Sequence, residues 1–491
     1  MTDSSTRAPA RLGLRLALLG FAQLIIAVDY NIVYVALPDI GSDLGFSAQS
    51  LQWVVSAYAV GFGGLLLLGG RAVDRLGARR MFMLALAVYG VSSLAGGLAG
   101  DPGTLVAARA VQGAGGALLF PATLTLVFTG FAEGPERNRA LSVWGATGGG
   151  GLATGALCGG LFTDWWGWAS VLFVNVPLTL FALAVARWLL PPDSAPRGGL
   201  KAFDVPGAVL ATAGSSLVVL GLVSGPESGW TSSRALGSLV LGGLLLAALL
   251  RVEARTRDPL IPPRLVRTRS LATTMGVAFL FSATLSTGYF LFTTYLQGTL
   301  GYSPMEAGLA FLPLTVFSMT AGRITGGLLN RFGIRAVTTV ALLVNGLGVA
   351  AVALAMSVDG SFWAMTPGIV LWGFGGGVGF TCIFAAAGMG VSPLEQGVAS
   401  AAVSTSQQIG GAVGLAALVA VANRGIDREG GAQLHEIVDG LRLAGVLAGA
   451  VAVLGGFLAL ALRGPKPGVG PVAEGVSAES DVADKAGVTD R

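Results

Sequence analysis

Apolar runs of about 20 residues recur along the whole chain, and each is long enough to cross a hydrocarbon core of about 30 Å as a helix. No other feature constrains the fold as strongly. Of 491 residues, 53% are hydrophobic and only 11% charged, where a soluble domain carries about 25% charged residues. The 76 glycines fit the same reading, because membrane helices tolerate glycine where it lets neighbours approach closely. An all-α polytopic membrane protein is expected. Fourteen spans are predicted, at 13–37, 51–70, 81–100, 104–129, 140–163, 169–190, 205–224, 235–251, 271–296, 306–327, 336–357, 362–388, 399–422 and 443–462. Cys158 and Cys382 both fall inside apolar spans and read as small packing residues. The single histidine, His435, falls in a polar stretch. No metal site or cofactor motif is present. The formal charge of +4 comes from scattered basic residues and argues against a nucleic-acid role. The first apolar run is too long for a signal peptide and reads as a retained span.

Lysine and arginine set the orientation. With the N-terminus in the cytoplasm, the inside segments hold Arg7, Arg11 and Arg15, then "RAVDRLGARR", Arg137 with Arg139, and Arg197 with Lys201. The dense "RVEARTRDPLIPPRLVRTR" and "NRFGIR" follow on the same side. An even span count returns the C-terminus to the cytoplasm. Both termini are therefore expected inside a plasma (inner) membrane, with a disordered tail over 463–491.

The chain also repeats itself. A shift of 256 residues carries Gly70 onto Gly326, Asp74 onto Asn330, Arg75 onto Arg331, Gly77 onto Gly333 and Arg79 onto Arg335. It carries Ser47 onto Ser303 as well. The shift equals eight spans, as a six-span half plus an inserted pair would require. The expected division is a tail (1–12), an N-terminal six-helix bundle (13–190), a linker with two inserted helices (191–270), a C-terminal six-helix bundle (271–462) and the tail (463–491). Parallel half-repeats are an architecture in which two bundles move about a site near the midplane.

These residues carry a resemblance. "GGRAVDRLGARR" is similar to the loop motif between spans 2 and 3 of the major facilitator superfamily. "VDYNIVYVALP" resembles the first-span motif of its fourteen-span drug–proton antiporters, the EmrB/QacA type, with Asp29 at the acidic position. "RAVQGAGGALLFPA" is similar to the fourth-span motif, and "GGGGLATGALCGG" with "WWGWASVLFVNVPL" to the antiporter motif of span 5 and its sequel. Ala156 stands where that motif has proline, and Asn31 and Tyr34 replace the usual Thr and second Asn of span 1. The resemblance implies a major-facilitator-type fold, proton coupling at Asp29, and a cytoplasmic latch between the halves built on Gly70, Asp74, Arg75, Gly77 and Arg79, with Asn330, Arg331, Gly333 and Arg335 as a weaker second copy.

The residues support a reading of their own. A carboxylate at mid-bilayer costs about 2.5–3.5 kcal/mol on insertion scales and marks an ion or proton path by default. Counted at 1.5 Å per residue, Asp29 sits about 12 Å and Arg109 about 8 Å below the outer surface, close enough for an arginine to bridge. The pair is expected to bind and release a proton. A purely structural ion pair and direct binding of a cationic substrate by Asp29 remain open beside it. Tyr30, Asn31, Tyr34, Gln112, Tyr289 and Gln297 are candidates for a substrate cavity. Gly151, Gly155 and Gly159 line one helix face, for close packing or for sliding of the halves.

Energy source and class follow by exclusion. The three lysines, Lys201, Lys466 and Lys485, follow no Gly-rich phosphate loop. The spans hold neither a nucleophile–base pair nor an acid pair for an enzyme. The expectation is a secondary transporter, active as a monomer, that exports small, largely lipophilic drugs or antibiotics in exchange for protons. A proton-coupled symporter importing a metabolite and a dedicated exporter of an endogenous metabolite are the alternatives.

Overall fold

In the computed structural model every regular element among the described residues is helical. The structure describes residues 7–46, 51, 53–193, 205–229, 231–253, 263–266, 268–302, 304–392, 394–422 and 434–462. Ser47, Ser303, Arg197, Lys201 and the 463–491 tail lie outside them. Nine helical stretches among these residues are long and apolar enough to cross a membrane.

The first half contains α1 (Arg7–Leu44), α2 (Trp53–Leu76), α3 (Ala78–Gly97), α4 (Pro102–Gly130), α5 (Pro135–Trp166), the short α6 (Ser170–Phe173) and α7 (Asn175–Leu189). Helices α8 (Val205–Ser228) and α9 (Ser233–Glu253) follow as a pair, then the short α10 (Pro263–Val266). The second half contains α11 (Arg269–Gly298), α12 (Pro304–Ala310), α13 (Leu312–Ala355), α14 (Phe362–Ala387), α15 (Gln396–Ala422) and α16 (Leu434–Ala459). Helix α1 begins six residues before the expected span start at 13, and His435 lies in the first turn of α16 instead of a loop.

Local chemistry explains where these helices start and stop. Asp101 caps α4, its carboxylate accepting from the Thr104 amide (3.0 Å) and the Thr104 hydroxyl (2.6 Å). Those two donors hold the Asp101 carboxyl below the usual range. Gly77 has φ +103° and separates α2 from α3. Gly333 has φ +75° and breaks α13 into two runs. These glycines are partners in the 256-residue repeat, so the repeat carries the same left-handed turn in both halves.

Within a bilayer, helices gain little from the hydrophobic effect and associate by close packing. In the first half α1 packs on α5, α2 on α4, and α3 on α4 and α7. In the second, α11 packs on α15 and α16, and α13 on α14 and α16. The halves meet along two seams, α2 against α15 and α5 against α13. The 256-residue repeat carries α2 onto the first run of α13, so the repeat relates the two seams as well.

Candidate functional site

Asp29 lies within α1, wholly buried, and is matched on every side. Its Oδ2 accepts from Arg109 Nη1 at 2.8 Å. Its Oδ1 accepts from Gln112 Nε2 at 2.8 Å and from Asn175 Nδ2 at 2.7 Å. Helical spacing puts Arg109 and Gln112 on one face of α4, and Arg109 Nη1 donates to Gln112 Oε1 at 2.7 Å. Arg109 Nε donates to the Val54 carbonyl at 3.0 Å, and its guanidinium lies over the Tyr58 ring, 4.6 Å from the centroid. Gln112 Nε2 also donates to Ser93 Oγ at 2.8 Å, and Tyr58 and Tyr89 join their hydroxyls at 3.3 Å. The side chains of Asp29 and Arg109 are 0% and 2% exposed; among the described residues theirs is the one ion pair buried on both sides.

The expected pairing of Asp29 with Arg109 is thus present. Gln112, a candidate for the substrate cavity, bonds into the carboxylate cluster instead of lining the cavity described below. Asn175 was not singled out, although a polar side chain two residues before Pro177 in an apolar run was the available signal. Its Oδ1 has no hydrogen-bond partner. In low dielectric such an atom is costly.

A cavity of about 180 Å³ lies between the halves, walled by α1, α5, α11, α13 and α14. Tyr30 and Tyr289 are among its lining residues. Asn31 and Tyr34 of α1 and Gln297 of α11 are not among its lining residues; Tyr34 and Gln297 are exposed. The residues that supply polar atoms beside them are Gln23, Thr315, Ser318 and Trp372. Gln23 Oε1 and Trp372 Nε1 have no hydrogen-bond partner. No acidic or basic side chain lines the cavity, and neither Asp29 nor its three partners are among its lining residues. Gly145, Gly148 and Gly149 of α5 face Gly373, Gly376 and Gly377 of α14 across it.

An aromatic plug missed by the sequence reading closes one end. Phe380 lines the cavity and stacks on Trp144 (centroids 5.7 Å, 11° between planes). Phe384 and Phe120 pack edge-on against Trp144 at 5.2 and 5.4 Å. Trp144 and Phe120 belong to the first half, Phe380 and Phe384 to the second. The signal was an aromatic pair four residues apart on α14, which sequence spacing alone assigns to any packed face.

Beyond the plug, both repeat loops bind across the seams. Asp74 accepts from the amides of Gly397 (2.8 Å) and Val398 (3.0 Å) at the start of α15. A carboxylate at a helix N-terminus satisfies orphan donors and meets the positive end of the macrodipole. Gly70 lies against the Gly397 carbonyl with no room for a Cβ. In the second copy Asn330 Oδ1 accepts from Asn138 Nδ2 at 2.6 Å, and Gly326 lies against the Asn138 carbonyl and Ser142. The arginines do other work. Arg79 donates its amide to Asp193 Oδ1 (2.9 Å) and its Nη2 to the Arg187 carbonyl (2.7 Å). Arg75 is half-buried at the end of α2, Arg331 lies over the Phe332 ring (5.1 Å), and Arg335 is exposed.

Gly151, Gly155 and Gly159 pack α5 onto Ala27, Val28 and Ile32 of α1. That contact lies inside one half, so these glycines are not a sliding surface between halves. Glycines that meet the opposite half are Gly149, Gly150, Gly322 and Gly326 at the α5/α13 seam and Gly70 with Gly397 at the α2/α15 seam.

Two repeated bundles, a cavity between them and a matched pair of crossing loops define a multi-pass membrane transporter, not an enzyme. Residues 19–415 match the family described as the Major Facilitator Superfamily, and the chain belongs to it. Among curated relatives it is 39% identical over 451 residues to the cephamycin export protein CmcT of Amycolatopsis lactamdurans, covering 91% of this chain and 93% of that one. It is 42% identical over 401 residues to the puromycin resistance protein pur8 of Streptomyces alboniger, covering 81% and 79%. Among solved structures, the fold is similar to the proton:xylose symporter XylE (TM-score 0.66, 13% identity, 91% and 95% covered). The human organic anion transporter MFSD10 is similar too (TM-score 0.62, 16% identity, 91% and 97% covered).

Proposed function

We propose that this chain exports small, largely lipophilic, antibiotic-like compounds in exchange for protons, by alternating access of the central cavity. In this reading it belongs to the fourteen-span drug–proton antiporters of the EmrB/QacA type. The nine long stretches are supplemented by α5, α15, the shorter α8 and α9, and the division of α13 at Gly333. It works as a monomer in the plasma membrane with both termini and the Asp74 and Asn330 latches on the cytoplasmic side.

The observation that carries the reading is the Asp29 cluster. As an anion Asp29 meets three donors on two oxygens. Adding a proton turns one of those oxygens into a donor facing donors. At least one of the bonds to α4 or α7 then breaks, so proton binding and helix arrangement are linked through contacts. The cavity lacks charged side chains, which suits neutral or lipophilic cargo, and it is separate from Asp29, which suits proton binding better than direct substrate binding. The relatives named for antibiotic export and resistance support the cargo class.

The test is transport in proteoliposomes under an imposed pH gradient, comparing wild type with Asp29→Asn on lipophilic dyes and neutral drugs. Uphill transport that needs the gradient and disappears in Asp29→Asn, with binding retained, is the expected result. Coupled transport by the variant would remove Asp29 from the mechanism. The direction of flux against the proton gradient separates antiport from import by symport.

A further inference from the structure

The pair α8–α9 is attached to the first half along the full length of α2. At one end the Arg234 guanidinium lies over the Trp53 ring, 4.8 Å from the centroid. Midway, Gly63 and Gly64 carry no side chain where Val219 and Ser216 of α8 press in. Further along, Leu68 packs into a small apolar cluster with Leu210, Ala211, Leu246 and Leu249. At the far end Asp193, on the segment leading to the pair, accepts from the amides of Arg79 and Arg80 (both 2.9 Å) and fills the space over Gly77. Helix α8 also touches α15 of the second half. It therefore lies across the α2/α15 seam.

The repeat-related α5/α13 seam has no such cover among the described residues. Small contacts close it: Gly149 against Ser318, Gly150 against the Met319 thioether, and Gly322 against Ala146. Gly149 and Ser318 also line the cavity. One contact is therefore seam and cavity wall at once, and next to it Gly150 packs on the half-buried Met319, a flexible unbranched side chain. Behind it wait the unpartnered Gln23 Oε1 and Trp372 Nε1.

We infer that the inserted pair seals one of the two lateral seams and leaves α5/α13 as the side door through which uncharged, lipophilic compounds pass between the bilayer and the cavity. The inference rests on the transport reading above. It makes α8–α9 a fixture of the first half, and the door asymmetric although the halves are repeats.

The test uses the full chain in phospholipid vesicles with trifluoromethyl-phenyldiazirine, an apolar carbene precursor that partitions into acyl chains. After photolysis, modified residues are mapped by mass spectrometry. Label on Thr315, Ser318 and Met319, with Ala401 and Gly397 of the other seam unmodified, is the expected pattern; the exposed Val209, Leu236 and Leu244 of the inserted pair report that the probe is present. Label on Ala401 or Gly397 and none on Ser318 or Met319 would overturn the inference. A Met319→Trp variant closes the door, so labelling of Trp372 and Tyr289 falls several-fold; unchanged labelling overturns it too. In Gly63→Cys/Val219→Cys the two Cβ atoms stand about 3.9 Å apart, within disulfide range. Oxidation of that pair leaves transport at its reduced level if α8 moves with the first half, and loss of transport on oxidation contradicts it. The labelling needs no proton gradient, so it stands or falls separately from the role of Asp29.

Discussion

A buried charge is tolerated when its field is cancelled locally, and Asp29 illustrates how completely that is done. Arg109 neutralises it, Gln112 and Asn175 fill its other oxygen, and Val54 and Tyr58 hold the arginine in turn. Breaking one partner of such a pair leaves an uncompensated charge and costs about 3–5 kcal/mol. Arg109→Met is therefore expected to lower the melting temperature in detergent more than Asp29→Asn does, since the asparagine leaves no anion behind. The double variant Asp29→Asn/Arg109→Met should recover part of the loss. A cycle showing simple additivity would mean the pair is not coupled. Asn175→Leu removes one donor to the carboxylate and an orphan oxygen together. It is expected to cost little stability while slowing proton-driven transport, checked by comparing flux with melting temperature.

At the scale of elements, the turns matter more than the spans. Gly77 combines φ +103° with the Asp193 carboxylate packed over its Cα, so Gly77→Ala meets both backbone strain and a clash. Strain of this kind costs about 1–3 kcal/mol. The expected outcome is a clear fall in thermal stability for Gly77→Ala, partly relieved when Asp193 is shortened to alanine. The two repeat loops differ in what they offer. Asp74 offers a carboxylate to the Gly397 and Val398 amides in the first turn of α15, whereas Asn330 gives a neutral amide to another amide side chain. Charge-assisted bonds are roughly twice as strong as neutral ones. Asp74→Ala should thus open the latched end far more than Asn330→Ala, read as spin-label distances between α2 and α15. Equal opening by the two variants would show that the charge is irrelevant.

For the molecule as a whole, the decisive contacts are the few that join the halves. Gly149 and Ser318 face each other across the α5/α13 seam, with a Cβ on Gly149 about 3.8 Å from that of Ser318, within disulfide range. In Gly149→Cys/Ser318→Cys, oxidation is expected to stop transport and reductant to restore it, while the Gly63–Val219 link within one body does neither. Continued transport by the oxidised Gly149–Ser318 pair would exclude rocking of the halves about this seam. The plug of Trp144, Phe120, Phe380 and Phe384 also spans the halves, and edge-to-face pairs contribute about 0.5–1.5 kcal/mol each beyond burial. A conformational change must exchange these contacts for others and does not simply lose them.

The sequence by itself determined the features that depend on local composition and spacing. Apolar run length dictated helices and a membrane setting, the 256-residue shift exposed two related halves, and a lone intramembrane acid pointed to Arg109. It also paired Gly77 with Gly333 through that shift, although their shared left-handed backbone is visible only in the structure. Tertiary structure alone decided which side chains meet. Gln112 went to the carboxylate and not the cavity, Asn175 joined from a different helix, Asp74 chose the α15 amides over its neighbouring arginines, and Gly151, Gly155 and Gly159 settled inside one half. The physical reason is that helical period states which residues share a face but not which helix that face will meet. In lipid, where almost any apolar face is acceptable, only the packing of small residues and the matching of a few polar groups select the partner.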